Sequence, residues 1–390
     1  MRRKHHFIRH SRARRLLQWL ASVVSILFAN SGVVAQNIHG PAAISKTASN
    51  LLVSWTGIGT LQSAPAAASL WQDILEANSP TSIEATNAQE FFRVVSRWST
   101  NADLIEANSE MGVAGLNGKI YVLGGYPASR VTVNTVQVFD TISNTSQLTT
   151  PLPIGVNHPM PAVANGKIYV IGGQTDAGSA YTNVVQEFDP ATTNWNFKAP
   201  MPTSRSAGAA AVVGNLIYVA GGRSTTTAHD FAVYNVTNNT WQTLTNMPTG
   251  RNHIAACAID GKIYVVGGRL GGGFTSPMTN ILEVFDPATT NWSTLAPMPT
   301  TRGGINGIAV NGNFFVFGGE GPDGVFEQME MYVPTQDRWY ELEPLPTAVH
   351  GVTGSAFVNG WIHLPGGGTS NGGSSGSTIH QIFSVDGINP

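Results

Sequence analysis

One nine-residue stretch recurs along this chain and limits what it can fold into. It reads NGKIYVLGG at residues 117–125, and close or worn copies begin at residues 165, 214, 260, 311 and 359. The Gly-Gly pairs that end the copies are 48, 49, 46, 51 and 48 residues apart. A regular period of this length indicates a repeat architecture, in which each unit buries its apolar surface against its neighbours.

Each unit has the pattern of four short antiparallel strands. An Asn-Gly or Asp-Gly pair precedes strand two in five of the six copies, and it is the signal of a two-residue hairpin. Strand three ends in most copies at an aromatic residue followed by Asp or Asn, and strand four begins at a tryptophan that can cover one face of the unit. These tryptophans are Trp195, Trp241, Trp292 and Trp339.

The same residues carry a family resemblance. A Gly-Gly pair, an aromatic residue three positions before it, the downstream aromatic-Asp and Trp, and then Met-Pro and Arg together resemble the kelch repeat. The resemblance implies an all-β, six-bladed kelch β-propeller over residues 96–390. A charged fraction of only 11% and 43 glycines agree with an all-β chain.

Counting along the repeat predicts how the ring closes. The distance from a blade tryptophan to the next Gly pair is 26 residues at Trp195, and counting back 26 from Gly124 reaches Trp98. The chain ends where a sixth tryptophan would begin the last outer strand. We therefore expect residues 97–105 to supply the fourth strand of the last blade, because closure pairs edges that would otherwise stay exposed.

The first 35 residues have the layout of a secretory signal peptide. Seven Lys and Arg residues, with no Asp or Glu, precede an apolar run at residues 16–28, and cleavage is expected after Ala35. Without this segment the chain has 14 basic and 23 acidic residues, a net charge near −9. That charge argues against nucleic acid and anionic membranes as partners. We expect a secreted or periplasmic protein with no membrane insertion after signal removal.

Residues 37–95 do not carry the repeat and are predicted to form a small β module. Short strands are expected at residues 51–55, 60–63, 71–74 and 91–95. The segment resembles the short β-sandwich modules that accompany many secreted proteins of environmental bacteria. That resemblance implies an accessory or surface role and no chemistry.

Loop variation predicts which face of the propeller binds. Loops between strands one and two, and three and four, are short and regular, whereas the four–one and two–three loops vary in length and composition. Variable loops on a regular scaffold are where binding residues concentrate. We expect the four–one and two–three face to bind.

The candidate site residues come from these loops. MPTSR, MPTGR and MPTTR place an arginine sixteen residues before a Gly pair in three blades, and in blade six that count reaches a histidine. Kelch proteins often bind ligands near the axis through arginines, so the resemblance implies a site there; the alternative is that the arginines hold adjacent blades together. The candidate ligand-binding residues are Arg205, Arg251, Arg302, His350, His253, Asn252, His158, Arg269 and Glu320.

These residues favour a non-catalytic binding scaffold for a protein or glycan ligand. Clustered arginines bind carboxylates well, so an acidic ligand would suit the site. The alternative is a sugar mutarotase, since secreted six-bladed kelch proteins include N-acetylneuraminate epimerases that resemble this chain in size; Glu320 with Arg302 or Arg251 would then supply acid–base chemistry. No cofactor is predicted. No metal site is predicted either, because no histidines are close-set, although His158, His253 and His350 could converge at the axis. A monomer is expected.

Overall fold

The structure, a computed structural model, describes residues 43–46, 50–56, 58–66, 69–84, 91–176, 178 and 180–390. The predicted signal peptide lies outside these residues. The described part of the chain is all β, and no helix in it is long and apolar enough to cross a membrane.

In the described residues, six blades of four antiparallel strands follow one another along the chain, and the sheet of blade 1 gains a fifth, parallel strand; this confirms the six-bladed propeller fold. Blade 1 has the strands Met111–Leu116, Lys119–Leu123, Val136–Asp140 and Thr145–Leu148. Blade 2 has Met160–Ala164, Lys167–Ile171, Val185–Asp189 and Asn194–Lys198. Blade 3 has Ala209–Val213, Leu216–Ala220, Phe231–Asn235 and Thr240–Thr243.

The later blades repeat this order with two irregularities. Blade 4 has Ala255–Ile259, Lys262–Val266, Leu282–Asp286 and Asn291–Leu295. Blade 5 has Asn306–Val310, Asn313–Phe317, Met329–Val333 and Arg338–Glu341, with a small hairpin of Glu320–Gly321 and Gly324–Val325. Blade 6 has Ala356–Val358, Trp361–Pro365 and His380–Ser384, preceded by the short segment Val352–Thr353, which pairs in parallel with blade 1.

The first strands form the inner wall of the ring. Each contacts the first strands of the two neighbouring blades, and the first strand of blade 6 contacts that of blade 1. Trp98–Thr100 pairs with His380–Ser384 as the fourth strand of blade 6, at the position that counting from the Gly pairs assigns to Trp98. Residues from both ends of the repeat region therefore share one sheet.

The tryptophans of the fourth strands join neighbouring blades. The indole of Trp195 donates a hydrogen bond to Thr150 O of blade 1, and Trp339 donates to Ala296 O of blade 4. Ser146 occupies the same register in blade 1, and its hydroxyl donates to Asp103 O. Each blade therefore repeats the inter-blade contact, with a smaller apolar contribution in blade 1.

The Gly pairs are the points where a blade approaches the loop of the next blade. Gly172 has a φ of 59°, and a Cβ added there would lie 2.5 Å from Arg205 O. The amide of Gly173 donates to that same carbonyl. A left-handed backbone without a side chain is therefore required where strand two meets the adjacent four–one loop.

The N-terminal region contains two three-stranded sheets with a common apolar core. One contains Ala43–Lys46, Asn50–Ser54 and Thr81–Glu84, and the other contains Gln72–Asp73, Thr60–Ala64 and Phe91–Val95. Leu51 and Val53 of the first sheet pack with Phe92 of the second. Arg97 links this region to the propeller, because its guanidinium pairs with Asp73 while its backbone N–H donates to Glu343.

Candidate functional site

Six equivalent residues on the four–one loops form a belt around the axis. Their backbones are all left-handed, with φ between 49° and 66°. From the second residue to the sixth, each N–H donates to the carbonyl of the residue before it in the belt. In blade order they are Glu110, His158, Ala207, His253, Gly304 and Gly351. A left-handed conformation is unfavourable for residues other than Gly, so the four non-glycine residues of the belt are held under local strain.

A second set of residues lies against the belt. Each follows a Gly pair and forms an isolated β-bridge with the residue just before the belt position. In blade order these residues are Tyr126, Gln174, Arg223, Arg269, Glu320 and Gly368. A cavity of about 130 Å³ is lined by three belt residues, Glu110, His158 and His253, and by every member of the second set except Gly368, with Arg130, Phe274 and Gly372 also contributing to its wall. The cavity opens on the face predicted to bind.

Charged and ionisable side chains meet at the base of this cavity, and we call them the axial cluster: Glu110, His158, His253, Arg269, Glu320 and His350. His158 Nε2 lies 2.9 Å from Glu110 Oε2, and the rings of His158 and His253 are 5.0 Å apart. His350 Nδ1 lies 3.3 Å from Glu320 Oε1 and 3.6 Å from Glu110 Oε1. Arg269 forms an ion pair with Glu320.

Two asparagines determine the tautomers of two histidines in the cluster. The amide nitrogen of Asn157 donates to Thr132 Oγ1 and to Asp176 O, so its oxygen must face His158 Nδ1 at 2.5 Å. Asn252 is oriented in the same way by Gly271 O and faces His253 Nδ1. Because an amide oxygen only accepts, Nδ1 of both rings carries the proton.

Burial and neighbouring charges shift the pKa values of the cluster. Burial alone would raise the pKa of Glu110, but His158, His350 and His253 outweigh it and hold that pKa below its usual range. Burial, with Arg269 next, lowers the pKa of His253 well below its usual value. Burial alone would lower the pKa of His350, but the adjacent carboxylates of Glu320 and Glu110 outweigh it and raise that pKa. Within the cluster, the pKa of Glu110 is therefore lowered, and the pKa values of His253 and His350 shift in opposite directions.

The three loop arginines, which we call the blade arginines (Arg205, Arg251 and Arg302), do not line this cavity. They are at most 1% exposed, and their side chains run into their own blades. Arg251 Nη2 donates to Val265 O and lies 3.1 Å from Glu283, and Arg302 pairs with Glu330. These contacts agree with the structural alternative weighed above.

The second residue of strand three explains this arrangement. It is glutamate in the blades of Arg251 and Arg302, but glutamine in blades 1, 2 and 6, where no loop arginine occurs. Each glutamine bonds both the N–H and the C=O of one loop residue; in blade 2, Gln186 bonds Ile154. The glutamates instead accept from a loop threonine and pair with the arginine. Blade 3 has Ala232 at this position, and Asp230 lies 3.8 Å from Arg205.

The expectation that His350 takes the arginine position in blade 6 is wrong. Val349 occupies it, because Gly319 N donates to Val349 O just as Gly268 N donates to Arg302 O. In blade 6 the arginine position lies seventeen residues before the Gly pair instead of sixteen. The stretch around strand one of this blade contains one additional residue and is interrupted at Gly354, whose φ is 72°. His350 is instead the bridge residue before the belt.

The structure thus divides the predicted site residues into two groups. His158, His253, His350, Arg269 and Glu320 come together, and Asn252 lies behind His253. Arg205, Arg251 and Arg302 lie apart from them. Sequence reasoning did not single out Glu110, which is central to the cluster. Its one available signal was its position, sixteen residues before Tyr126, which equals the spacing between His158 and Gln174.

Comparison with known families agrees with this architecture. The family model described as the KLHDC2/KLHL20/DRC7 Kelch-repeats domain matches residues 93–268, and the Kelch motif matches residues 250–299. No curated protein matches the chain significantly. Kelch repeats generally mediate protein–protein interaction, and kelch-repeat domains are typically non-catalytic. With its blade count, strand order and matched residues, the chain belongs to the kelch-repeat β-propeller family.

Proposed function

We propose that this propeller binds a partner that inserts an acidic group into the axial cavity. The observation that carries the proposal is the lining of that cavity, which includes the three arginines Arg130, Arg223 and Arg269. Guanidinium groups match the planar geometry of carboxylates and bind them through paired hydrogen bonds.

Two of these arginines are placed to contact a partner. Arg130 is exposed and Arg223 is half-buried, whereas Arg269 is buried and already paired with Glu320. The guanidinium of Arg223 donates to Gly272 O across the cavity, so it is held near the opening. The carboxylates of Glu110 and Glu320 lie deeper. An entering anion would therefore be bound at the mouth and repelled by the base.

The size of the cavity favours a side chain or a single acidic group over a whole sugar. Its volume of about 130 Å³ is below the range of roughly 300–1,000 Å³ that holds typical small ligands. The rest of the partner would lie on the variable two–three loops. Protein interaction is the general role of kelch repeats, so we propose a protein partner and treat a glycan as the competing outcome.

Sugar mutarotation has less support from this geometry. Glu320, the carboxylate considered for acid–base work, accepts hydrogen bonds from Arg269 and from Gly372 N. Donors of the protein therefore stabilise the charge on both oxygens, which reduces the tendency of Glu320 to take a proton from a substrate. Despite the opposing effect of burial, His350 and Arg269 also lower the pKa of Glu320, which weakens it as a base at neutral pH.

The test compares binding of an acidic peptide library with the same peptides carrying amides in place of carboxylates, alongside an array of acidic glycans. Arg223→Gln should weaken binding of the acidic peptides about tenfold, the effect of losing one hydrogen bond to a charged group. Lys262→Gln, an exposed change on the opposite face, is the matched control. Equal binding by Arg223→Gln and the control, or no preference for carboxylates, would refute the proposal. Selective capture of glycans would replace the protein partner with a glycan.

We also propose that the chain is exported and acts as a monomer outside the cytoplasm. The basic residues and apolar run of residues 1–35 support export. N-terminal sequencing of the recovered protein should begin at Gln36. An intact N-terminus in a cytoplasmic fraction would contradict export.

A further inference from the structure

We propose that Glu110, His158 and His253 bind one divalent transition-metal ion at the base of the axial cavity. The proposal does not rest on partner binding, because its ligands are Glu110, His158 and His253 and not the arginines of the cavity. It adds a metal site where sequence reasoning expected none.

The donor atoms already have the spacing of metal ligands. One carboxylate oxygen and one nitrogen of each ring lie within 4.8 Å of one another. His158 Nε2 and Glu110 Oε2 are 2.9 Å apart. Two donors that bind one ion at about 2.1 Å and at right angles to each other are separated by about 3 Å. No rearrangement of this pair is therefore needed for both atoms to reach one ion.

The hydrogen bonds behind the histidines direct lone pairs into the site. Nδ1–H of each ring donates to Asn157 or Asn252, so the nitrogen that becomes free in the neutral form is Nε2. In that form His158 Nε2 faces a carboxylate oxygen at 2.9 Å with no hydrogen between them. Two acceptors this close repel each other unless a proton or a cation lies between them. Metal-binding histidines commonly donate their second N–H to such a partner, which orients the ring.

Buried polar atoms of the cluster are a second observation that points to a ligand. Glu110 is 3% exposed, and its Oε2 faces His158 Nε2, which donates a hydrogen bond to it only when the ring is protonated; with a neutral ring, Oε2 is unpaired and its burial carries a cost that a cation would offset. His350 Nδ1 on the other side of Glu110 also lacks a hydrogen bond with good geometry. Buried polar atoms are nearly always paired, so two unpaired atoms beside one carboxylate call for an explanation.

Glu110 is the carboxylate that remains for a metal. Both oxygens of Glu320 have partners, since Arg269 donates to Oε1 and Gly372 N donates to Oε2. His350 also belongs to this pair, 3.3 Å from Glu320 Oε1. The charge of Glu320 is thereby compensated within the protein. We therefore assign Glu110 as the ligand, with Glu320 and His350 as its neighbours.

The donor types indicate the class of ion. Two imidazoles and one carboxylate suit Zn²⁺, Mn²⁺, Fe²⁺ or Co²⁺, whereas Mg²⁺ and Ca²⁺ prefer oxygen ligands alone. All three side chains line the cavity, so the remaining coordination positions would face its opening. Such a set holds the ion from one side and leaves positions for water or a partner group.

The test uses the intact protein, freed of metal by a chelator and dialysed, and titrated with Co²⁺ and Zn²⁺. We expect one ion per chain by calorimetry and elemental analysis, visible absorption of the Co²⁺ form, and no competition from Mg²⁺. Glu110→Gln and His253→Gln should each weaken binding more than about 100-fold. Asn252→Leu, which removes the hydrogen-bond partner of His253 Nδ1 and keeps all three metal ligands, should weaken metal binding about 10–100-fold. His229→Gln is the matched control, since His229 lies outside the cluster and bonds Met247 O.

Nitrogen NMR of the parent protein makes the test independent of how well the variants fold. Zn²⁺ should shift Nε2 of His158 and His253 while leaving His229 unchanged. The proposal is overturned if Co²⁺ and Zn²⁺ fail to bind, or if Glu110→Gln binds them as the parent does. It is also overturned if Nε2 of both histidines is protonated and its chemical shift does not change when Zn²⁺ is added. In that last case a proton shared with Glu110 accounts for the 2.9 Å contact.

Discussion

Arg251 and His253 lie two residues apart on one loop, yet they have opposite surroundings. Arg251 extends into its own blade, where Glu283 and Val265 O receive its guanidinium. His253 turns towards the axis, where it faces Glu110 and His158. Asn252 between them holds the imidazole in one orientation. One short loop therefore serves both the scaffold and the candidate site.

The difference between the two residues is the source of their partners. The blade arginines contact carboxylates and carbonyls of their own blade. Their charge is therefore compensated in the blades whose strand three contains a glutamate. The axial residues come from different blades and meet only once the ring has formed. Removing a blade arginine should therefore reduce stability, whereas removing an axial residue should mainly affect binding.

The largest expected effect comes from breaking one of the arginine pairs. Arg302→Met leaves Glu330 buried without its cation, and we expect a loss of about 3–5 kcal/mol in the free energy of unfolding. Arg205→Met is the matched control, because two guanidinium nitrogens of Arg205 already lack hydrogen bonds and blade 3 has no strand-three acid. Arg205→Met should reduce the free energy of unfolding by much less than Arg302→Met.

Urea denaturation of the two variants and the parent checks this contrast. Metal binding by Arg302→Met, measured on the fraction that remains folded, should equal that of the parent. Equal destabilisation by both substitutions would show that the strand-three glutamate does not distinguish the blades. Loss of metal binding in Arg302→Met would place the blade arginines in the site after all.

Histidines also occur both in the scaffold and at the axis, and a scaffold histidine should change the pH dependence of the free energy of unfolding by about 3 kcal/mol. His363 and His380 are buried inside blade 6, with 3.0 Å between His363 Nδ1 and His380 Nε2. Burial lowers the pKa of His363 to about 4 and, with His363 nearby, that of His380 to about 3. Because the folded pKa values lie below the unfolded value near 6.5, protonation favours unfolding. Stability should be complete above pH 6.5 and fall as the pH decreases towards 4.

His363→Phe restores the aromatic residue that strand two carries in the other blades, and it removes one of these titrating groups. The loss of stability between pH 7 and pH 4 should be about 3 kcal/mol smaller than in the parent, the value of roughly 2.5 pKa units. Denaturation at the two pH values measures it, with His229→Gln as control. An unchanged pH dependence would show that His363 is not the group responsible.

The fold could be predicted from the sequence because its signals are local. The turn between strands one and two needs left-handed residues, which Asn-Gly and Asp-Gly supply, and close contact at Gly172 requires glycine. Trp98 could be assigned to blade 6 by counting because the outer strands keep a nearly constant distance from the Gly pairs. Each of these features depends on residues close together in the chain.

The site could be predicted only as far as its loops. Counting back from the Gly pairs identified the loops of His158 and His253, but it could not show which of three successive side chains in each loop points to the axis. That direction depends on the left-handed backbone of the belt. The additional residue at Gly354 displaced the count for His350. The structural role of the arginines has one signal in the sequence, and it lies in strand three, far from the loop. Blades whose strand three reads LEVFD or MEMYV have a glutamate that pairs with the loop arginine, whereas VQVFD has a glutamine and its blade has no loop arginine.

Ala232→Glu tests directly whether a strand-three glutamate pairs with the loop arginine, and it should produce the smallest of the expected changes in stability. Ala232 is buried at the strand-three position where Glu283 and Glu330 pair with their arginines, so a glutamate there should reach Arg205. We expect a gain of about 1–3 kcal/mol in the free energy of unfolding, the range for hydrogen bonds to charged groups. In the Arg205→Met background the same substitution should destabilise, because the new carboxylate is then buried without a cation. A gain that is equal in both backgrounds would mean that the added glutamate acts on the loop backbone, as Gln186 does in blade 2, and that the arginine is incidental.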